Sequence, residues 1–144
     1  KGKMVNYLGV GPHKGLSEYL TGQASLDEIM FNIDIDHLSF IGCGAVPSHP
    51  AELLASARMK ELISALKPQF EYILIDTPPV IPVTDAVILG TQVDGVIMVV
   101  RAGDTQRGIV HRAGVLLNQA HANVIGHILT GIEYFVPDYI YRYL

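Results

Sequence analysis

The chain has 144 residues, 49% of them apolar and 17% charged, with a formal net charge of −4 and a single cysteine. This length suits one domain or part of one and is enough to bury a real core. The acidic balance gives no general pull towards nucleic acid or anionic membrane, the lone Cys43 excludes an internal disulfide and fits a reducing cytosol, and no apolar run reaches the roughly 18 residues of a membrane span.

Residues 1–12 read as a polar opening without clear period, and they lack the charged-then-apolar layout of a signal peptide. Residues 15–22 (GLSEYLTG) read as a short helix closed by glycine. Ser25 and Glu28 have the spacing of a capping box and predict a helix over 26–30. Residues 38–42 (LSFIG) read as a short strand leading into the turn Gly42-Cys43-Gly44. Pro50 suits the first turn of a helix, where its missing N–H costs nothing. Leu53, Leu54, Met59, Leu62, Ile63 and Leu66 continue that helical spacing up to Pro68.

The stretch 72–79 (YILIDTPP) is the most informative. A β-branched apolar run ends in Asp76, and Pro78-Pro79 then stops helix or strand. A buried parallel strand delivers an acid in this way to the C-terminal edge of a sheet, where ligands collect in open α/β folds. Residues 83–90 predict a short helix, with Thr84 or Asp85 near its start. Residues 95–100 (GVIMVV) are a second apolar strand. Thr105 is a candidate cap for a long helix to about Ala120, and residues 124–129 form a last strand ended by Gly131. Strand–helix alternation of this kind argues an α/β fold with a mainly parallel sheet flanked by helices.

Two absences matter. His13, His37, His49, His111, His121 and His127 form no H-x₃-H pair or Cys/His ligand cluster, which argues against a zinc site. The phosphate-cradling loop G-x-x-x-x-G-K-[ST] is missing, although YILID looks like a Walker B strand. The chain therefore reads as half of a nucleotide site.

The last residues are rich in tyrosine: Tyr134, Tyr139, Tyr141 and Tyr143. The alternation at 139, 141 and 143 puts three rings on one side of an extended segment. Such a tail is either an accessible substrate or an aromatic docking strand packed on the body.

The blocks GLSEYLTG (15–22), SLDEIM (25–30), PSHPAELLASARMKELI (47–63), YILIDTPPVIPVTDA (72–86), DGVIMVVRAGDTQRG (94–108) and ANVIGHILTGI (122–132) stand in order. Together they resemble the bacterial tyrosine kinases that govern capsule and exopolysaccharide synthesis, a branch of the MinD/ParA-like P-loop superfamily. The likeness covers nearly the whole chain. The DTPP end is shared with the wider superfamily; GLSEYL, PAELL and the tyrosine-rich tail point to the kinases.

The resemblance implies a P-loop NTPase domain over 1–132, incomplete at its N-terminus, and a tyrosine-rich tail over 133–144. It implies ATP and Mg²⁺ as cofactors, with Asp76 as the Walker B acid serving the metal through a coordinating water. The alternative for Asp76 is an acid that merely ends a strand. Thr77 can lend a hydroxyl to the phosphates or make a local turn bond. Asp85 is either an acid near the phosphates or a helix N-terminal acid facing the dipole. Arg101 contacts nucleotide or a neighbouring subunit, or is simply exposed at a strand end. Thr130 stands where relatives often place an asparagine that reads the adenine edge, and a hydroxyl lacks the paired contacts of an amide.

In the complete kinases, phosphate passes from ATP to tail tyrosines of a neighbouring subunit, here Tyr134, Tyr139, Tyr141 and Tyr143. Each modification adds roughly −1.5 to −2 charges, which loosens a ring of subunits. Implied partners are further copies of the chain, a membrane-embedded polysaccharide chain-length or activator protein and a tyrosine phosphatase, with no nucleic acid. The implied location is cytoplasmic, at the inner face of the cell membrane, through a partner or an N-terminal region absent from this sequence. The P-loop, its lysine and a second acid are expected to precede Lys1, so the chain is expected to be inactive alone. A MinD/ParA-like ATPase switch and a non-catalytic module of the export machinery are the alternative readings.

Overall fold

The computed structural model describes residues 13–33 and 35–132. The chain divides into two compact units, Lys1–Ile75 and Asp76–Leu144.

In the first unit, helix α1 (Leu16–Leu20) is followed by α2 (Leu26–Ile29) and by a two-stranded antiparallel pair, β1 (Met30–Asn32) with β2 (Ser39–Ile41). The predicted helix at 26–30 is shorter than expected. Glu28 accepts the Ser25 amide at 2.8 Å, in the expected capping box. Met30 then leaves helical geometry and pairs with Ile41. The helical spacing beyond Pro50 is interrupted: α3 (Pro50–Ala55) stops at Ser56, whose hydroxyl accepts the Met59 amide and caps a new helix, α4 (Ala57–Leu66). The buried apolar residues of the unit are Leu20, Ala24, Ile29, Met59, Leu62, Ile63 and Leu66.

A polar lock joins α1 to the turn after β2. The Glu18 carboxylate takes the amides of Gly15 at 2.7 Å and Ala45 at 3.0 Å. The buried Ser17 hydroxyl reaches the carbonyls of Cys43 and Ala45 at 2.8 and 2.6 Å. These amide donors hold the Glu18 carboxyl below its ordinary range, Ala45 contributing most. Gly15 and Gly44 are required here: a Cβ on Gly15 would run into the backbone of Gly42 and Gly44, and one on Gly44 into Glu18.

The predicted strand at 72–75 is not a strand. It has no ladder partner among the described residues, and residues 72–79 carry no regular structure. Exposure still alternates along it, with Tyr72 at 79% and Leu74 at 90% exposed and Ile73 and Ile75 half-buried. The β propensity is present; what makes a strand is a neighbour to pair with, and the described residues provide none.

In the second unit, α5 (Asp85–Gly90) leads to β3 (Val96–Arg101), α6 (Arg107–Gln119) and β4 (Val124–Thr130). β3 and β4 pair in parallel, as a strand–helix–strand unit requires. The helix starts at Arg107 with Gln106 as its cap residue. Thr105, the predicted cap, instead donates its amide to the Arg101 carbonyl at 3.1 Å, closing a turn before the helix. Met98, Ala113, Leu117 and Ala122 form the core, with Val80, Ile81, Val87, Val96, Val110 and Val124 packed against it. The expected parallel pairing is thus present in this unit, while the first unit's pair is antiparallel.

Candidate nucleotide site

The C-terminal end of the parallel pair is built by Arg101 on β3 and Thr130 on β4, which are register partners. Ligands of open α/β sheets collect at this end. Thr130 Oγ1 lies 3.4 Å from the Val100 carbonyl, and the Ala102 amide donates to the Thr130 carbonyl at 2.8 Å. The Thr130 hydroxyl therefore faces β3 backbone. The Arg101 guanidinium is exposed and has no hydrogen-bond or ion-pair partner among the described residues.

Asp76 opens the second unit. Its carboxylate is exposed and has no protein partner among the described residues, and Thr77 beside it is half-buried. Pro78 and Pro79 restrict the chain after it, and Val80 and Ile81 then anchor the segment on the Met98–Leu117 core. Asp85 is the first residue of α5, where a carboxylate meets the positive end of the helix dipole. Arg101 and Thr130 are the two candidates that strand pairing brings together. Tyr134, Tyr139, Tyr141 and Tyr143 lie outside the described residues.

The donor set fits magnesium better than a metal caged by protein alone. Among the described residues no three His, Cys, Asp or Glu side chains gather to hold an ion. A single unpaired carboxylate such as Asp76 is what Mg²⁺ uses, because it keeps several waters and takes its other ligands from substrate phosphates.

No family model matches the chain. Among curated proteins it is 35% identical over 133 residues to the tyrosine-protein kinase CpsD of Streptococcus agalactiae, covering 92% of the chain and 58% of CpsD. Among solved structures, the kinase domain of the Escherichia coli tyrosine kinase ETK superposes with a TM-score of 0.89 at 31% identity, over 95% of this chain and 54% of that one. The chain is similar to bacterial tyrosine kinases over more than nine-tenths of its length. The kinase domain of VpsO is a further neighbour, with a TM-score of 0.85 at 30% identity, covering 92% of this chain and 66% of that one. The α/β fold of these bacterial tyrosine kinase domains is thus the fold of this chain, which spans 58% of the length of CpsD.

One residue at the sheet end was legible only as punctuation. Gly131 reads in sequence as the end of a strand; in the structure it has φ +64° and lies under the Arg101 side chain. The signal available was a glycine directly after an apolar strand, which marks a backbone turn without saying what crosses it.

Proposed function

We propose that this chain is the Walker B portion of an ATP-dependent protein-tyrosine kinase controlling capsule or exopolysaccharide synthesis. The observation that carries the reading is Asp76: a free carboxylate delivered by an apolar stretch, followed by Pro78-Pro79 and tied to the core through Val80 and Ile81.

Asp76 would hold Mg²⁺ through a coordinating water, and the ion, when bound, neutralises charge on the phosphoryl group in transit. Thr77 and Asp85 would line the same nucleotide, the first as a hydroxyl donor. Arg101 offers a planar set of donors suited to phosphate oxygens. Thr130 would offer the base one hydroxyl, which here lies against the Val100 carbonyl, a weaker reader of adenine than an amide. In phosphoryl transfer the protein mainly positions groups and stabilises charge, so these residues act by placement.

Residues 133–144 would be the acceptor tail, with Tyr134, Tyr139, Tyr141 and Tyr143 phosphorylated by a neighbouring copy. Among the described residues no helix is long and apolar enough to cross a membrane. Attachment to the inner face of the cell membrane would come through a membrane-embedded activator or chain-length protein, or through an N-terminal region outside this chain. A tyrosine phosphatase would reset the tail.

The test is a chimera in which this chain replaces the corresponding C-terminal segment of CpsD, supplying an upstream phosphate-binding half. Asp76→Asn is expected to lower autophosphorylation at least 100-fold, on the order of the loss of a transition-state charge stabiliser, while circular dichroism stays unchanged. Activity within a few-fold of the unsubstituted chimera would remove Asp76 from the mechanism.

A further inference from the structure

Gly131 has φ +64°, in the left-handed region, and a Cβ built on it would meet the Arg101 side chain at Cγ (3.3 Å), Nε (3.6 Å) and Cδ (4.0 Å). The arginine stem thus lies across the bare face of Gly131. Its base is fixed twice over. The Thr105 amide holds the Arg101 carbonyl at 3.1 Å, and the Ala102 amide holds the Thr130 carbonyl at 2.8 Å. With the backbone pinned on both sides, the direction of the stem is decided by what it can lie against. Beyond the stem, the guanidinium is free of partners among the described residues.

A free guanidinium on a guided stem differs from an arginine waving in solvent. Arg loses rotamer entropy on binding, and a stem already laid down loses less. We propose that Gly131 is a positioning residue for Arg101: its missing side chain is the bed that aims the guanidinium at nucleotide phosphate on the sheet's C-terminal end. This rests on the reading of Arg101 as a nucleotide contact. A β-carbon at position 131 presses on the stem at Cγ, which must give by a few tenths of an ångström, and it also strains the positive φ; a longer side chain takes up more of the bed.

Two measurements test it. On the chain itself, the Arg101 Nε–Hε resonance is expected at an ordered, distinct shift in the unsubstituted protein and to collapse to the solvent-exposed position in Gly131→Ala and Gly131→Asn. Asparagine tolerates the left-handed region, so it separates a filled bed from backbone strain. In the CpsD chimera, Arg101→Ala and Gly131→Asn are each expected to raise KM for ATP on the order of tenfold, the size of one charge-assisted contact, with kcat within twofold. The double variant is expected to be no worse than Arg101→Ala alone. If Gly131→Asn leaves the resonance and KM unmoved, or raises KM equally in the Arg101→Ala background, Gly131 does not act through Arg101 and the proposal falls. If Arg101→Ala leaves KM unchanged, the nucleotide reading of Arg101 itself falls, whatever the resonance shows.

Discussion

At the scale of single residues, Glu18 and Asp76 are opposite uses of a carboxylate. Glu18 is satisfied by the amides of Gly15 and Ala45, whereas Asp76 has no protein partner among the described residues. A carboxylate bound to amides belongs to the structure; one left unpaired before two prolines is available for a ligand. Glu18→Gln is expected to lower the stability of the first unit by about 1–2 kcal/mol, since hydrogen bonds to a charged group are lost or weakened. The sign with pH follows from the lowered folded value. The stabilisation is fully present above the unfolded value of 4.5 and is lost as pH falls through the folded one. Glu28, pulled down to about 2 mainly by Lys14, titrates in the same direction. Urea midpoints measured from pH 7 down to pH 3 should fall in the unsubstituted chain and fall less in Glu18→Gln. Parallel curves for the two proteins would deny Glu18 this role.

At the scale of elements, the sequence was a good guide wherever a pattern is local. The apolar run 95–100 and the long helix up to about residue 120 are found within a residue or two of expectation. Pro50 opens its helix as expected. What was not legible depends on distant partners. β1 was hidden because Met30 continues the helical pattern of 26–30 until Ile41 pairs with it. The stretch 72–75 has strand composition yet no partner. Ser56 divides α3 from α4: its backbone turns extended and its hydroxyl takes the Met59 amide. The site shows the same division: Asp76 stood out by its flanking residues, while the adjacency of Arg101 and Thr130 came only from register. Helix α6 also makes its own prediction. Gly108 and Gly114 have open space where a Cβ would go, so each carries the helix cost of glycine without a packing reason. Changing each to alanine is expected to add about 0.5–1 kcal/mol of stability, read as a higher melting temperature. A lower one would mean that these positions serve a contact outside this chain.

At the scale of the whole molecule, apolar surface is left in view in each unit. Leu74 is 90% exposed in the first; in the second, Val99 and Ile125 are 66% and 63% exposed. Met98 turns to the α6 side, so Ile97 and Val99 lie on the opposite face of the sheet, with Ile128 beside Val99 in register. Surface of this kind together with unpaired backbone invites association. The isolated chain is expected to self-associate in sedimentation at micromolar concentration, and Leu74→Lys with Val99→Lys is expected to shift it towards monomer. A tight monomer before substitution would contradict this.

We propose that this chain supplies a working half of a tyrosine kinase together with its own acceptors. Phosphosite mapping by mass spectrometry of the CpsD chimera, incubated with ATP and Mg²⁺, addresses it most directly. Phosphate is expected on tyrosines of the set Tyr134, Tyr139, Tyr141 and Tyr143, and is expected to be lost in Asp76→Asn. A folded chimera that binds ATP and carries no phosphate on any of these tyrosines would contradict it.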